Sequence, residues 1–268
     1  MSTKDKFITD LHQHSAFSYD GRQTAEDVVK KAIENGDKRV CFSEHYDYDC
    51  FLLGITSAPL VNIDEYKAEI DRLKRKYAGV IEILFGIEFG YSAAAVEKYR
   101  ELTEKYDFDY VINSVHLLYG KDCCEKEFTH TDKAKAYGDY LKSVLESVNA
   151  DYNWQIVGHL GYPCRYATYE DRELLYKDHR EIIDEILKTI IRRDKYLEIN
   201  TSTKDERVFS PETGIIKRYI ESGGDNFTYG SDSHDLSRYR EKSDKVAEFL
   251  SSVGKTAAFF RKTNPVKE

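Results

Sequence analysis

A chain of 268 residues, 41% of them hydrophobic, is long enough to close a single α/β barrel around a sizeable core, and one domain is expected over 1–268. The formal net charge of −8 argues against a surface built for long nucleic acids, which needs a basic face; a small anion held through metal ions stays compatible with it. Five cysteines (Cys41, Cys50, Cys123, Cys124, Cys164) without C-x-x-C spacing speak against a disulfide framework or a zinc knuckle. With no run that reads as a signal peptide or a membrane span, they make the reducing cytoplasm the expected compartment.

Short β-like runs alternate with longer helical ones. A first strand is predicted over 7–11 and an amphipathic helix over 24–35, where Val28, Val29, Ala32 and Ile33 recur at helical spacing. A strand at 39–43, a helix at 63–77, a strand at 81–87 and a helix at 93–106 follow. Next come a strand at 110–114, a helix at 133–147, a strand at 155–158 and a helix at 178–193. A strand at 196–200, a helix at 212–222, a strand at 226–230 and a helix at 238–253 complete the pattern. Thr24, three residues before Asp27, suits a helix start, as does Ser210 before Pro211; Gly36, Gly79 and Gly223 suit helix ends. Strand–helix alternation over the whole length implies a parallel sheet whose right-handed crossovers close it into a barrel.

His12, His14, His45, His116, His159 and His234 all fall within or just after the C-terminal end of a predicted strand. In an α/β barrel those ends share one rim, where active sites are built. His12 and His14, two apart, can project to one side of a strand and converge on one ion, as can Asp232 and His234. Glu88 ends the apolar run from Ile83 and reaches the same rim, where Asp232 and Asp20 add oxygen donors. Such a mixture suits zinc, manganese or iron better than magnesium or calcium. Asp20, in Ser18-Tyr19-Asp20-Gly21, reads equally as a turn residue. His130 and His179 read as surface or capping residues, and Cys123 and Cys124 as loop thiols.

Six short motifs, in this order, resemble those of the polymerase and histidinol phosphatase (PHP) superfamily. They are Asp10-Leu11-His12-Gln13-His14-Ser15, Ser43-Glu44-His45, Gly86-Ile87-Glu88, Ser114-Val115-His116, Gly158-His159 and Ser231-Asp232-Ser233-His234. Phe17-Ser18-Tyr19-Asp20-Gly21 and Glu198-Ile199-Asn200-Thr201-Ser202 look like its histidinol-phosphatase branch. The resemblance implies a distorted (β/α)7 TIM-like barrel with the active site at the C-terminal strand ends and two or three divalent transition-metal ions there. It implies that His12, His14, Glu88 and Asp232 hold one ion, that Glu88 bridges to a second held by His116 and His159, and that Asp20, His45 and His234 hold a third. Glu88, Asp232 and His234 would also serve catalysis. Ser43-Glu44-His45 departs from the Thr-Asp-His of many relatives and suggests a supporting role for Glu44. His159 is followed by Leu160-Gly161-Tyr162-Pro163 instead of a nearer proline, which leaves the substrate-facing loop open.

The expected activity is metal-assisted hydrolysis of a small phosphate monoester, with L-histidinol phosphate, a substrate of histidine biosynthesis, as the leading substrate. Arg165 and then Arg207 are the candidates for gripping phosphate, each with a solvated role as the alternative. A relative acting on nucleotides or oligonucleotide ends is the rival enzyme, and a non-catalytic metal-binding regulatory module is the rival of another class. No G-x-S-x-G elbow or Cys–His arrangement points to covalent catalysis. The 21 tyrosines imply no particular oligomeric state.

Overall fold

A computed structural model describes residues 8–123, 131–203 and 207–268; Phe7, Cys124 and His130 lie outside them. In chain order the strands are β1 (Arg39–Tyr46), β2 (Glu82–Gly90), β3 (Tyr110–Ser114), the two-residue β4 (Leu117–Leu118) and β5 (Lys121–Asp122), and β6 (Ile156–Val157). They continue with β7 (Tyr196–Asn200), β8 (Phe227–Gly230), β9 (Ala258–Arg261) and β10 (Asn264–Lys267). The helices are α1 (Ala25–Asn35), α2 (Tyr48–Leu52), α3 (Ile63–Lys76), α4 (Val96–Lys105), α5 (Lys133–Val148), α6 (Arg180–Arg192), α7 (Thr213–Glu221) and α8 (Ser243–Ser252). Six strands form one parallel sheet in the order β1-β2-β3-β6-β7-β8, so neighbours in sequence are neighbours in space.

The first predicted strand is not regular. Around residues 10–14 the chain makes only isolated bridges, Asp10 to Tyr229 and Gln13 to Ser233. It is nonetheless held on both sides. Leu11 N donates to Tyr229 O (2.9 Å) and Asp232 N to His12 O (2.6 Å), while Ser43 N donates to Gln13 O (3.0 Å). The two edges of the sheet therefore meet on this segment. Its side chains explain the irregularity: Gln13 Nε2 bonds Cys41 O and Asp10 Oδ1 takes the backbone NH of Ser231, so side chains replace part of a ladder.

Helix starts follow from local chemistry. Thr24 caps α1 by accepting from Asp27 N, and Gly36 ends it at φ 76°. Asn62 caps α3, whose last turn carries Lys74, Arg75 and Lys76. The expected start at Ser210-Pro211 is displaced: Ser210 pairs with Asn200 through both backbone groups (2.8 and 2.9 Å), and Glu212 caps α7 instead. The expected helix over 238–253 is α8 alone, because Arg240 and Lys242 adopt positive φ before it. The β9–β10 hairpin had no counterpart in the sequence reading.

Alternation along the strands divides the interior. Val40, Phe42, Ile83, Phe85, Ile87, Phe89, Val111, Leu197 and Ile199 join the main core with the buried faces of the helices. The opposite column begins with Cys41, Leu84, Tyr110, Ile112, Ile156 and Tyr196, packed with Leu11 and with Phe260 of β9. Higher along the same column the residues become His45, Glu88, Ser114, Glu198 and Asn200, all buried. One face of each strand thus passes from an apolar plug to a polar chamber within a few residues.

Candidate metal centre

His45 and Glu88 lie at the C-terminal ends of β1 and β2, face to face in the register. His116, His159 and Asp232 each stand two residues beyond β3, β6 and β8. His12 and His14 come from the irregular segment between the sheet edges, with ring centroids 5.2 Å apart. Asp232 adopts φ 52°, a left-handed conformation uncommon outside glycine and held here by its NH bond to His12 O. This kink, rather than a continuing strand, brings Asp232 and His234 to one side. Gly158 and Gly230 allow close approach: a Cβ on the first would strike Ser114 Oγ, and on the second Glu198 Oε1 and the His12 Cβ.

Ligand-type atoms crowd into overlapping groups: His12, His14 and Asp232; His12, Glu88 and His159; His45, Glu88 and His116; and His14, His45 and His234, with Asp20 at the edge of the last. His12 Nε2 lies 3.2 Å from Glu88 Oε2 and 3.7 Å from Asp232 Oδ1; His14 Nε2 lies 3.6 and 3.4 Å from the same oxygens. Glu88 Oε1 lies 2.9 Å from His159 Nε2 and 3.2 Å from His116 Nε2, and these nitrogens are 3.3 Å apart. His45 Nε2 and His234 Nε2 are 3.4 Å apart, with Asp20 oxygens 3.8 and 3.1 Å from them. Asp20 is the outermost, with its side chain 43% exposed against 0% for Glu88. His45 also turns Nδ1 toward Glu88 Oε2 at 2.9 Å, so the groups share residues.

The donor set fits a transition-metal ion. His12 Nε2, His14 Nε2 and Glu88 Oε2 are buried yet have no hydrogen-bond partner, an expensive state unless something else satisfies them. Metal–nitrogen bonds of about 2.0–2.1 Å in a tetrahedron place ligand atoms roughly 3.3 Å from one another. The first group's spacings fall around that value.

Outer residues fix the rings. Glu198 Oε1 lies 2.6 Å from His12 Nδ1, while its Oε2 accepts from the His159 backbone NH at 2.5 Å. Asp47 Oδ1 lies 2.8 Å from His116 Nδ1, Ser18 Oγ 3.2 Å from His14 Nδ1, and Ser114 Oγ donates to Glu88 Oε1 at 2.6 Å. Glu44 accepts from the backbone NH and hydroxyl of both Ser15 and Ser18, clamping the turn that leads to Asp20. The sequence reading had no role for Asp47, Ser18, Ser114 or Glu198. Asp47 had a usable signal, standing two residues after His45; Glu198 and Ser114 lay inside quoted motifs.

Burial opposes charge throughout, but the clustered signs win where carboxylates converge. His12 is lifted well above the free imidazole value because Glu198, Glu88 and Asp232 together outweigh its desolvation. His116 rises likewise: Asp47 and Glu88 outweigh burial. For Glu88, burial is overcome by His12, His116 and His45, which hold it well below the carboxylate range; for Asp232, Arg165 and His12 do the same. His14 is pushed down by burial and then by His45 and His234, which leaves a neutral ring with a free lone pair.

Arg165, at the end of a 3-10 turn over Tyr162–Arg165, is buried and donates to Asp232 Oδ2 (2.6 Å) and Asn200 Oδ1 (2.8 Å), with Nε unpaired. Arg207 is half-buried and donates to Cys164 O (3.0 Å), which ties it to the same turn. His179 occupies the N-cap of α6 away from the cluster. Cys41, Cys50 and Cys164 are free and buried, and Cys123 is buried. Among the described residues no helix is long and apolar enough to cross a membrane.

The PHP domain family matches residues 10–202. A probable histidinol-phosphatase of Clostridium acetobutylicum is 33% identical over 232 residues, covering 85% of this chain and 86% of that one. The histidinol-phosphatase of Lactococcus lactis is 32% identical over 231 residues, covering 84% and 83%. The crystal structure of histidinol phosphate phosphatase from Lactococcus lactis, complexed with zinc, L-histidinol and phosphate, matches with a TM-score of 0.83 at 28% identity, covering 97% of this chain and 99% of that one. A putative histidinol phosphatase of Listeria monocytogenes shares the fold at 22% identity, with a TM-score of 0.77 over 88% of this chain and 98% of that one. With the family matched over residues 10–202, most of its length, and a relative 33% identical over 85% of it, this chain belongs to the PHP domain family.

Proposed function

We propose that this protein is a metal-dependent phosphatase that hydrolyses L-histidinol phosphate to L-histidinol and phosphate. The observation that carries the reading is the buried cluster of unpaired imidazole and carboxylate atoms, in a chain similar over nearly its whole length to a phosphatase solved with zinc, histidinol and phosphate. His12, His14, Glu88 and Asp232 would hold one ion; Glu88, His116 and His159 a second; Asp20, His45 and His234 a third. Zinc, manganese and iron all suit these donors. When bound, such ions supply Lewis acidity toward a water nucleophile and neutralise phosphate charge.

The chain's own residues do the rest. Glu198 and Asp47 hold Nδ1 of His12 and His116, which directs each Nε2 inward. Arg165 offsets the charge of Asp232 and keeps its unpaired Nε as a donor for a phosphate oxygen, with Arg207 as a second candidate on the same turn. Glu88, Asp232 and His234 would serve the reaction of the ester. The segment around residues 10–14 serves as a seventh stave, which makes the fold a distorted (β/α)7 barrel formed by one domain. The buried free thiols of Cys41, Cys50 and Cys164 suit a reducing cytoplasm.

Phosphate release from L-histidinol phosphate, nucleoside monophosphates and an aryl phosphate, measured side by side with metal present, tests the substrate. Histidinol phosphate should give the highest kcat/KM. A nucleotide in first place would overturn the substrate assignment and leave the metal centre standing.

A further inference from the structure

A cavity of about 330 Å³ lies outside the metal centre, between the end of α2, the turn after β2, the β4 strand and one face of α5. Leu52, Leu53, Tyr91, Leu117, Leu118 and Tyr119 give it apolar walls. Leu52, Leu53 and Tyr119 are 48%, 54% and 58% exposed, and Phe51 beside them 58%, an unusual concentration of large apolar side chains in water. Two carboxylates, Asp49 and Glu146, are the charged residues among its described lining, together with the hydroxyls of Ser92 and Ser143.

Asp49 is the informative one. It is 3% exposed, its Oδ1 accepts from Cys50 N (2.9 Å), and its Oδ2 has no hydrogen-bond partner. A buried carboxylate oxygen left unsatisfied is costly; among the described lining residues none carries a positive charge, and only His116 on the neighbouring rim acts on it as a cation. Burial, and then the nearby Asp47, push its carboxyl up to about 7. A positively charged group placed there would relieve both. Tyr91 adds an aromatic ring beside it, while Tyr119 already meets Lys135 Nζ, 5.4 Å from its ring centroid, and the leucines accept an apolar body.

We propose that this cavity binds a small organic cation, an ammonium or similar headgroup on a compact apolar body, with Asp49 as its charge partner. Charge complementarity excludes phosphorylated and carboxylate ligands, so the site is distinct from the phosphate-binding rim. It also adjoins that rim: Asp47, which pairs with His116 Nδ1, stands two residues before Asp49.

Titration calorimetry of metal-loaded protein with 2-phenylethylammonium, at saturating inorganic phosphate, tests the proposal. Binding is expected with a dissociation constant of about 1 mM or tighter. The neutral 2-phenylethanol and the anionic 3-phenylpropionate should bind roughly tenfold more weakly or worse, because they lack the charge-assisted bond. Asp49→Asn should weaken the ammonium by a similar factor. Ser143→Arg, which lies on the helix surface far from the metal ligands in sequence and puts a cation into the cavity, should abolish its binding while leaving phosphatase activity unchanged. Absence of ammonium binding overturns the proposal, as does equal binding of the alcohol or the acid. Wild-type affinity in Ser143→Arg would place the amine elsewhere and overturn it too.

Discussion

Glu198 and Asp47 each hold the Nδ1 edge of an imidazole whose Nε2 faces the cluster, at 2.6 and 2.8 Å. A carboxylate in that position fixes the tautomer and the ring plane and raises the basicity of the other nitrogen. Glu198 reaches two of the proposed ligands at once, since its second oxygen takes the His159 backbone NH. Glu198→Gln is therefore expected to lower metal affinity by roughly 10- to 100-fold, read by competition against a chelator, with Asp47→Asn giving a comparable loss confined to the ion held by His116. Unchanged affinity in both variants would show that the rings are oriented by packing alone. Gly230→Ala addresses the same spot from the backbone. Its Cβ would meet Glu198 and His12, so a destabilisation of about 1–3 kcal/mol in urea unfolding is expected, together with weaker metal retention.

At the scale of elements, strand alternation and helix capping were legible in the sequence because both are local. Thr24, Gly36 and the apolar spacing of 24–35 predicted α1 almost to its ends, and β3 and β7 fell where their apolar runs lay. The first strand was misread as regular because its pairing depends on side chains from far along the chain, such as Asp10 on Ser231 NH. The hairpin β9–β10 was missed since its turn rests on positive φ at Lys262 and Thr263, residues that seldom announce such a turn. The connection from α6 to β7 carries a testable charge. Lys195, held by Trp154 O, is lowered to about 8 by burial and then by Arg193. Between that value and 10.5 the unfolded chain binds more protons than the folded one, so stability from this group rises with pH across the window. Lys195→Met should flatten that rise, seen as a smaller difference in unfolding free energy between the two ends of the window than in wild type.

For the whole molecule, the proposed ions act as cross-links among segments that are remote in sequence: residues 12–14, β2, the loops after β3 and β6, and 232–234. Removing metal should leave Glu88 and the unpaired imidazole nitrogens buried without partners and so loosen the C-terminal end of the sheet. At a free zinc concentration about 1,000 times the dissociation constant, binding contributes about 4 kcal/mol, which for a chain of this size shifts Tm by roughly 10 °C. Calorimetry before and after chelation, with zinc restored in a third scan, checks this; an unchanged Tm would mean that the cluster is rigid without metal.

The sequence by itself determined the alternation of strands and helices, the order of the motifs and the kinds of atoms they bring, because periodicity and residue chemistry are carried by neighbours along the chain. It therefore pointed to His12, His14, His45, Glu88, His116, His159, Asp232 and His234 as a group before any contact was visible. Only the tertiary structure decided how they meet. The left-handed turn at Asp232, the sharing of Glu88 among several rings, the clamp of Glu198 and the capture of Arg165 by Asp232 and Asn200 are contacts between distant segments. Such contacts depend on how the sheet curls to bring its ends together, and no local pattern encodes that.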